Sequence, residues 1–236
     1  MFQGTIKGVS EELFSASAAA QKLRRSLKGL DTDEKQIIEV LTTHNNVQRQ
    51  LIKQKYQEYY GRPLTRDLEE ELGGHFLDAT LSLLQAPASF DAYCLRRALT
   101  FRPLVDTCCL IDTLCTRSNS EINEIKRVYF ERYATLLEED LENMNPTLGK
   151  FLRTILLKGR SESDAIDHKM AEQDAEDLIP TKTTQLNVTN GTAFSSLLCL
   201  RSKSQIALTL DVYRRKTGVD LETSIRKEFH GETQFG

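Results

Sequence analysis

The sequence predicts an all-α fold built from related helical units, and three observations lead to this prediction. Apolar residues recur with the three- to four-residue spacing of a helix face, and no stretch alternates in polarity for long enough to form a β-strand. The chain also matches itself at a regular interval, which is typical of a repeat protein. Finally, the same helix-start signal stands at equivalent places in each unit.

The internal repeat defines the organisation of the chain. Tyr56 matches Tyr129 at a shift of 73 residues, and Tyr129 matches Tyr213 at a shift of 84. Upstream, Leu23 matches Leu95 at a shift of 72, so the second unit carries one inserted residue. The predicted boundaries are an N-terminal tail over 1–13, a first repeat over 14–85, a second over 86–158, a linker over 159–168 and a third repeat over 169–236.

Each unit carries a capping box, in which a side chain and a Glu or Gln three residues later satisfy the free N–H groups of a helix start. The three pairs are Asn45 with Gln48, Ser118 with Glu121, and Ser202 with Gln205.

The first repeat is predicted to contain five short helices. The first covers 18–27, and the second carries an apolar stripe of Ile37, Ile38 and Leu41. The third carries Val47, Leu51, Ile52, Tyr56 and Tyr59, and it ends at Gly61 because Pro63 cannot continue a helix. The fourth covers 66–72 and the fifth covers 76–84.

Composition excludes several classes of function. The net charge of −3 provides no general attraction for nucleic acid. The four histidines are scattered, and no metalloprotease or nucleotide-binding motif is present, so we do not expect an enzyme. The odd number of five cysteines without zinc spacing indicates reduced, mostly buried thiols in a cytoplasmic protein. No apolar run reaches the roughly 18–20 residues of a membrane span, so membrane contact would be peripheral.

The repeats resemble those of the annexin family. Residues 28–34 read Lys-Gly-Leu-Asp-Thr-Asp-Glu and are similar to the family's K-G-x-G-T-D-E loop. The resemblance covers almost the whole chain and weakens from the first repeat to the third. It implies a curved, disc-like array, incomplete at the C-terminus because annexins usually have four repeats. We therefore expect a divergent member, truncated or alternatively spliced, with apolar surface exposed after its third repeat.

The resemblance implies a calcium site in the first repeat. Three loop carbonyl groups and a carboxylate about forty residues later hold the ion in annexins, and oxygen is the ligand that calcium prefers. The matching residues are Leu27, Gly29, Asp31 and Glu71, with Thr32 and Glu34 as a weaker neighbouring site. Asp31 replaces a glycine of the family's loop, and its carboxylate could instead bind the ion or cap the second helix. The plainer alternative is an acidic helix start without calcium.

The other two repeats depart from this pattern. In the second repeat the carboxylate position is Met144, with Glu142 nearby, so no site is expected. In the third repeat Glu228 keeps the carboxylate position, but the opposing loop at 185–189 lacks glycine, so Glu228 is a doubtful ligand.

The implied function is calcium-dependent binding to acidic, phosphatidylserine-like phospholipid membranes, reversibly at the inner face of the membrane. Lys28 and Leu30 are the expected lipid contacts, with Arg24 and Arg25 assisting. The alternative is a calcium-independent scaffold that binds protein partners by its surface or N-terminal tail. Asp91, Asp112 and Arg117 match charges between annexin repeats and are expected to form a structural network that holds the units in register.

Overall fold

A computed structural model of the protein describes residues 6–28, 31–100, 104–144, 146–179 and 192–228, and every regular element in these ranges is helical. The α-helices are α1 Ala16–Leu27, α2 Glu34–Thr43, α3 Asn46–Tyr60, α4 Leu64–Glu71, α5 Gly74–Leu83, α6 Pro87–Thr100, α7 Thr107–Thr116, α8 Asn119–Tyr133, α9 Leu137–Asp140, α10 Pro146–Lys158, α11 His168–Leu178, α12 Thr192–Leu200, α13 Lys203–Thr217 and α14 Leu221–Glu228. A 3₁₀ turn, Leu141–Asn143, follows α9.

The chain divides into two compact units, residues 1–90 and 91–236. The first unit contains the five helices predicted for the first repeat, α1 to α5, with ends within a few residues of the predicted ones. Its hydrophobic core is formed by side chains from α1 to α4 and by one residue at the end of α5. These residues are Ala19, Ala20, Leu23, Leu27, Ile37, Val40, Leu41, Ile52, Tyr56, Leu64, Leu68 and Leu84.

Two apolar stripes of the first repeat were predicted wrongly in part. Ile38 is 47% exposed, and Val40 takes its place in the core. On α3, Val47 and Leu51 are exposed, whereas Ile52 and Tyr56 are fully buried. Helical spacing alone leaves the centre of the buried face uncertain by about one residue, and packing against α1 decides it.

The second unit contains α7 to α14 and most of α6. A separate apolar cluster in its C-terminal half joins α11, α12, α13 and α14 through Ala171, Ala175, Leu178, Leu197, Val212, Tyr213 and Leu221. The linker before α11 is fixed by Arg160, whose guanidinium donates to the carbonyl groups of Cys115 at 3.0 Å and Leu198 at 2.7 Å. Arg160 therefore ties the second repeat to the third.

The capping boxes are confirmed at α3 and α8, where both reciprocal hydrogen bonds are present. At α13, Ser202 accepts from the backbone of Gln205, but the Gln205 side chain instead pairs with both backbone groups of Asp167. Gln48 makes the same double contact with Val9 of the N-terminal tail, in addition to its capping role. The glutamine at this repeated position thus also holds the segment that precedes its repeat.

The cysteines are free thiols, but the prediction that most are buried was wrong. Cys199 is buried, Cys108 is exposed, and the other three lie between these extremes. Burial raises the pKa of Cys199 to about 12 and that of Cys94 to about 11, which makes these two thiols poor nucleophiles.

Candidate calcium site

The candidate site lies between the end of α1 and the start of α2. Helix α1 ends when the Lys28 N–H donates to the Arg24 carbonyl at 3.1 Å. The loop closes when the Asp33 N–H donates to the Ser26 carbonyl at 3.0 Å. Asp33 then caps α2 by accepting from the Gln36 N–H, so Asp33 and not Asp31 is the cap of this helix. The last carbonyl groups of a helix have no partners within the helix, and at the end of α1 that of Ser26 is paired with Asp33.

Glu71 lies beside this loop although it is far away in sequence. It is the last residue of α4, and its Oε1 atom lies 3.1 Å from Lys28 Nζ across 43 residues of chain. Each side chain keeps about a third of its surface exposed, 34% for Lys28 and 33% for Glu71. The predicted approach of Glu71 to the loop is therefore present in the structure.

A buried carboxylate, Asp67, lies one helical turn before Glu71 and anchors α4. Its side chain has no exposed surface, and Arg24 Nη1 donates to its Oδ2 at 2.6 Å. The Tyr56 hydroxyl donates to the same oxygen. On the other side, Arg62 Nε lies 2.9 Å and Lys28 Nζ lies 3.7 Å from Asp67 Oδ1. Asp67 thus fixes the end of α1, the centre of α3 and the direction of α4.

The electrostatics of this cluster favour an ionised Asp67. Burial alone would raise the pKa of Asp67, but the Tyr56 hydrogen bond and the charges of Arg62, Arg24 and Lys28 outweigh it and lower that pKa. The pKa of Tyr56 is raised to about 12 by burial and by its bond to Asp67, so Tyr56 stays a neutral donor. Arg24 also stacks on the Tyr60 ring, which makes it a structural residue and leaves it less available to lipid than expected.

The donor set fits a hard cation. A partly exposed carboxylate, Glu71, already carries a positive group against it in the form of the Lys28 ammonium. Oxygen is the ligand that a hard cation such as calcium prefers. Leu27 is buried at the end of α1, and Asp31 is exposed in the loop. Gly29 and Leu30 lie outside the described residues. Among those described, no three His, Cys, Asp or Glu side chains cluster as a metal site, so backbone oxygens would have to supply most ligands.

The weaker neighbouring site predicted at Thr32 and Glu34 lies at the start of α2. The Glu34 N–H donates to the Thr32 carbonyl at 3.1 Å, and the Glu34 side chain is exposed. These two residues are adjacent to the loop, and their role as calcium ligands stays a prediction.

The second repeat keeps the arginine and tyrosine contacts to an aspartate, but it lacks a carboxylate at the position of Glu71. Arg96 and the Tyr129 hydroxyl each contact Asp140 Oδ2 at 2.5 Å, which reproduces the contacts of Asp67. Met144, at the position of Glu71, is buried with 9% exposure. The neighbouring Glu142 pairs with Arg153 at 2.8 Å.

In the third repeat both members of the arginine–aspartate ion pair are replaced. The positions of Arg96 and Asp140 are taken by Ile179 and Ser224. Tyr213 now shares a hydrogen bond of 3.0 Å with Ser224. The side chain of Glu228 and the loop at 185–189 lie outside the described residues, so the prediction for this repeat stays a prediction.

Of the three residues expected to form a charge network, two pair with each other in the described part of the second repeat. Arg117 donates two hydrogen bonds to Asp91, at 2.6 and 3.0 Å, and both residues belong to the second repeat. Asp112 is exposed on α7 and forms no ion pair with any other described residue. Sequence reasoning missed the equivalent pair in the third repeat, where Arg201 binds Asp174 at 2.8 and 2.9 Å. The shift of 83 residues from Asp91 to Asp174 was the available signal.

In the part of the chain that the structure describes, no helix is both long and apolar enough to cross a membrane.

Comparisons with known proteins agree with this architecture. The annexin family model matches residues 18–83, 90–157 and 173–234. Annexin A7 of Homo sapiens is 35% identical over 99% of this chain and 47% of its own length. The chain therefore spans about half the length of annexin A7. Annexin A13 of Mus musculus is 39% identical over 93% of this chain and 69% of its own length.

Solved structures give the same result. Annexin III superimposes with a TM-score of 0.89 at 33% identity, covering 99% of this chain and 72% of the other. The calcium-bound structure of annexin (Sm)1 superimposes with a TM-score of 0.83 at 25% identity, covering 99% of this chain and 70% of the other. Three matched repeats, the helical fold and the level of identity together lead to one conclusion: the chain belongs to the annexin family.

Proposed function

We propose that this protein is a peripheral, non-catalytic membrane-binding protein that docks on acidic phospholipid through a calcium ion held at the first repeat. The observation that carries the proposal is the approach of Glu71 to the loop at residues 28–33, with its carboxylate 3.1 Å from Lys28. Annexins as a family bind acidic phospholipid in a calcium-dependent way and are generally non-catalytic, and this chain is an annexin.

Calcium would supply a bridge between protein oxygens and the phosphate groups of the lipid, since its six to eight ligands exceed what one loop provides. Glu71 provides the carboxylate, and the carbonyl groups of Leu27, Gly29 and Asp31 complete the protein side. The buried contacts of Asp67 hold α4 and α1 in place, so that Glu71 is positioned in advance. With a net charge of −3 the protein as a whole does not attract an anionic surface, and a calcium bridge would supply that attraction.

We expect weak binding. Open calcium sites with few protein ligands have dissociation constants of roughly 10⁻⁵–10⁻³ M. Avidity from several loops is limited here, because Met144 removes the carboxylate from the second repeat. We place the protein in the cytoplasm, with reversible attachment to the inner face of membranes.

The second candidate is a calcium-independent scaffold that binds protein partners, in part through the N-terminal tail. The observation that favours it is the loss of the ligand at Met144, together with the Lys28 ammonium already seated against Glu71.

Vesicle co-sedimentation separates the two candidates. The protein is mixed with phosphatidylserine or phosphatidylcholine vesicles, with millimolar calcium or with chelator. Membrane docking predicts pelleting with phosphatidylserine and calcium and in none of the other three conditions. Equal pelleting in all four conditions, or in none, would exclude the calcium bridge and favour the scaffold.

A further inference from the structure

The Lys28 ammonium already pairs with the Glu71 carboxylate, the group proposed to hold calcium. Its Nζ atom lies 3.1 Å from Glu71 Oε1 and 3.7 Å from Asp67 Oδ1. We propose that Lys28 is a built-in competitor for calcium, whose release from Glu71 sets the calcium concentration at which the first repeat binds a membrane. This inference rests on the proposed function and concerns the regulation of the same site.

The geometry makes Lys28 a removable partner. The side chains of Lys28 and Glu71 are each about one-third exposed, so water can replace either partner. The flexible four-carbon stem of lysine allows its ammonium group to swing away while the backbone stays in place. A pair with these properties is held weakly enough for another cation to displace it.

Release of Lys28 does not leave a buried charge unpaired. Asp67 keeps Arg24 at 2.6 Å and Arg62 at 2.9 Å, and it keeps the hydrogen bond from Tyr56. The interior of the first repeat therefore keeps two cations closer to Asp67 than Lys28 is, and Lys28 can move at a smaller cost to the fold than either of them. This separates Lys28 from Arg24, which is needed to hold Asp67.

The released ammonium changes its role. While it contacts Glu71 it opposes the binding of calcium at that carboxylate. After release it lies at the loop that would face the membrane, where a cation is attracted to anionic phosphate. Lys28 thus weakens calcium binding in the absence of lipid and strengthens attachment in its presence, which couples the two events.

The second repeat supports the view that these two residues act together. At the positions of Lys28 and Glu71 it carries Thr100 and the buried Met144, so the cation and the anion are both absent. The structural anchor at Asp140 is retained there, which indicates that the Lys–Glu pair is not required for the fold of a repeat.

The test is a calcium titration without lipid. Its readout is the melting temperature, which rises when a ligand binds the folded protein. The variants are Lys28→Met, the charge-conserving Lys28→Arg, and Lys55→Met as a control that removes an exposed lysine paired with Glu58 elsewhere in the repeat. We expect Lys28→Met to lower the calcium concentration at half-effect by about two- to fivefold, as the loss of an exposed ion pair implies. Lys55→Met should behave as the parent, and Lys28→Arg, which keeps the positive charge, should not lower the calcium concentration at half-effect. If the calcium concentration at half-effect is unchanged or higher for Lys28→Met, the proposal that Lys28 competes with calcium is overturned.

A Glu71→Gln variant distinguishes this failure from failure of the proposed function. If Glu71→Gln abolishes the calcium effect while Lys28→Met matches the parent, the calcium site stands and the competitor is wrong. If the parent does not respond to calcium without lipid but Lys28→Met does, the competitor is confirmed, and pelleting of the parent with phosphatidylserine vesicles and calcium decides the proposed function. If neither responds, the competitor is overturned, because removal of the ammonium has released no site, and the same pelleting assay decides the proposed function.

Discussion

Arg24 and Asp67 form an ion pair of 2.6 Å between the end of α1 and the middle of α4, and the Asp67 side chain is completely buried. The second repeat has the same contact between Arg96 and Asp140 at 2.5 Å. In the third repeat both partners are replaced, and Ser224 stands in the carboxylate position. Removing one member alone would leave a charge in the interior, which explains why both are replaced together.

The first prediction concerns Asp67→Asn. Because three cations would then lose their common partner, we expect the free energy of unfolding at pH 7 to fall by about 3 kcal/mol. Urea unfolding monitored by helical circular dichroism measures this change. Glu69→Gln, which neutralises an exposed carboxylate on the same helix, is the control and should change stability little.

The same variant predicts a pH dependence. The pKa of Asp67 is lowered in the folded protein, so its stabilising contribution is complete above the unfolded carboxyl pKa of about 3.9 and is lost as the pH falls through the lower folded value. The stability difference between the parent and Asp67→Asn should therefore shrink on acidification below about pH 4. A difference that stays constant to the lowest measurable pH would contradict an ionised Asp67.

The second prediction concerns Asp91 and Arg117. The equivalent positions of the first repeat carry Ala19 and His44, where the His44 ring packs on Phe14. Arg117→His alone leaves the buried Asp91 unpaired, and we expect a loss of about 2 kcal/mol. The double variant with Asp91→Ala should recover about 1 kcal/mol, because it restores a combination that the fold already accepts. A double-mutant cycle by urea unfolding measures the coupling, and additive losses would show that the pair is not coupled.

The third prediction concerns the end of α8. Helices α3 and α13 end at glycines with φ of 66° and 75°, whereas α8 ends at Ala134 with φ of 53°. A left-handed conformation is unfavourable for alanine and free of strain for glycine. Ala134→Gly should therefore raise the free energy of unfolding by about 1 kcal/mol. Thermal unfolding checks it, with Gly61→Ala expected to shift the melting temperature in the opposite direction.

The sequence predicted the helical repeats, the helix starts and the return of Glu71 to the loop. The repeats and the helix starts depend on local spacing and on one repeated alignment, which a sequence displays directly, whereas the return of Glu71 was implied by the resemblance to annexins. On α2 it placed Ile38 in the core instead of Val40, because the two are about equally apolar and only the neighbouring helices choose between them. It also missed the contact of Lys28 with Glu71 and that of Gln205 with Asp167, because the partner that a side chain chooses depends on how the helices pack.

The most direct test of the central claim is co-sedimentation of the Glu71→Gln protein with phosphatidylserine vesicles across a calcium titration. Glu69→Gln, two residues away and also exposed, is the matched control for the lost charge. If Glu71 holds the bridging calcium, Glu71→Gln should lose calcium-dependent pelleting while Glu69→Gln pellets as the parent does. Equal calcium-dependent pelleting of all three proteins would contradict a calcium bridge at Glu71.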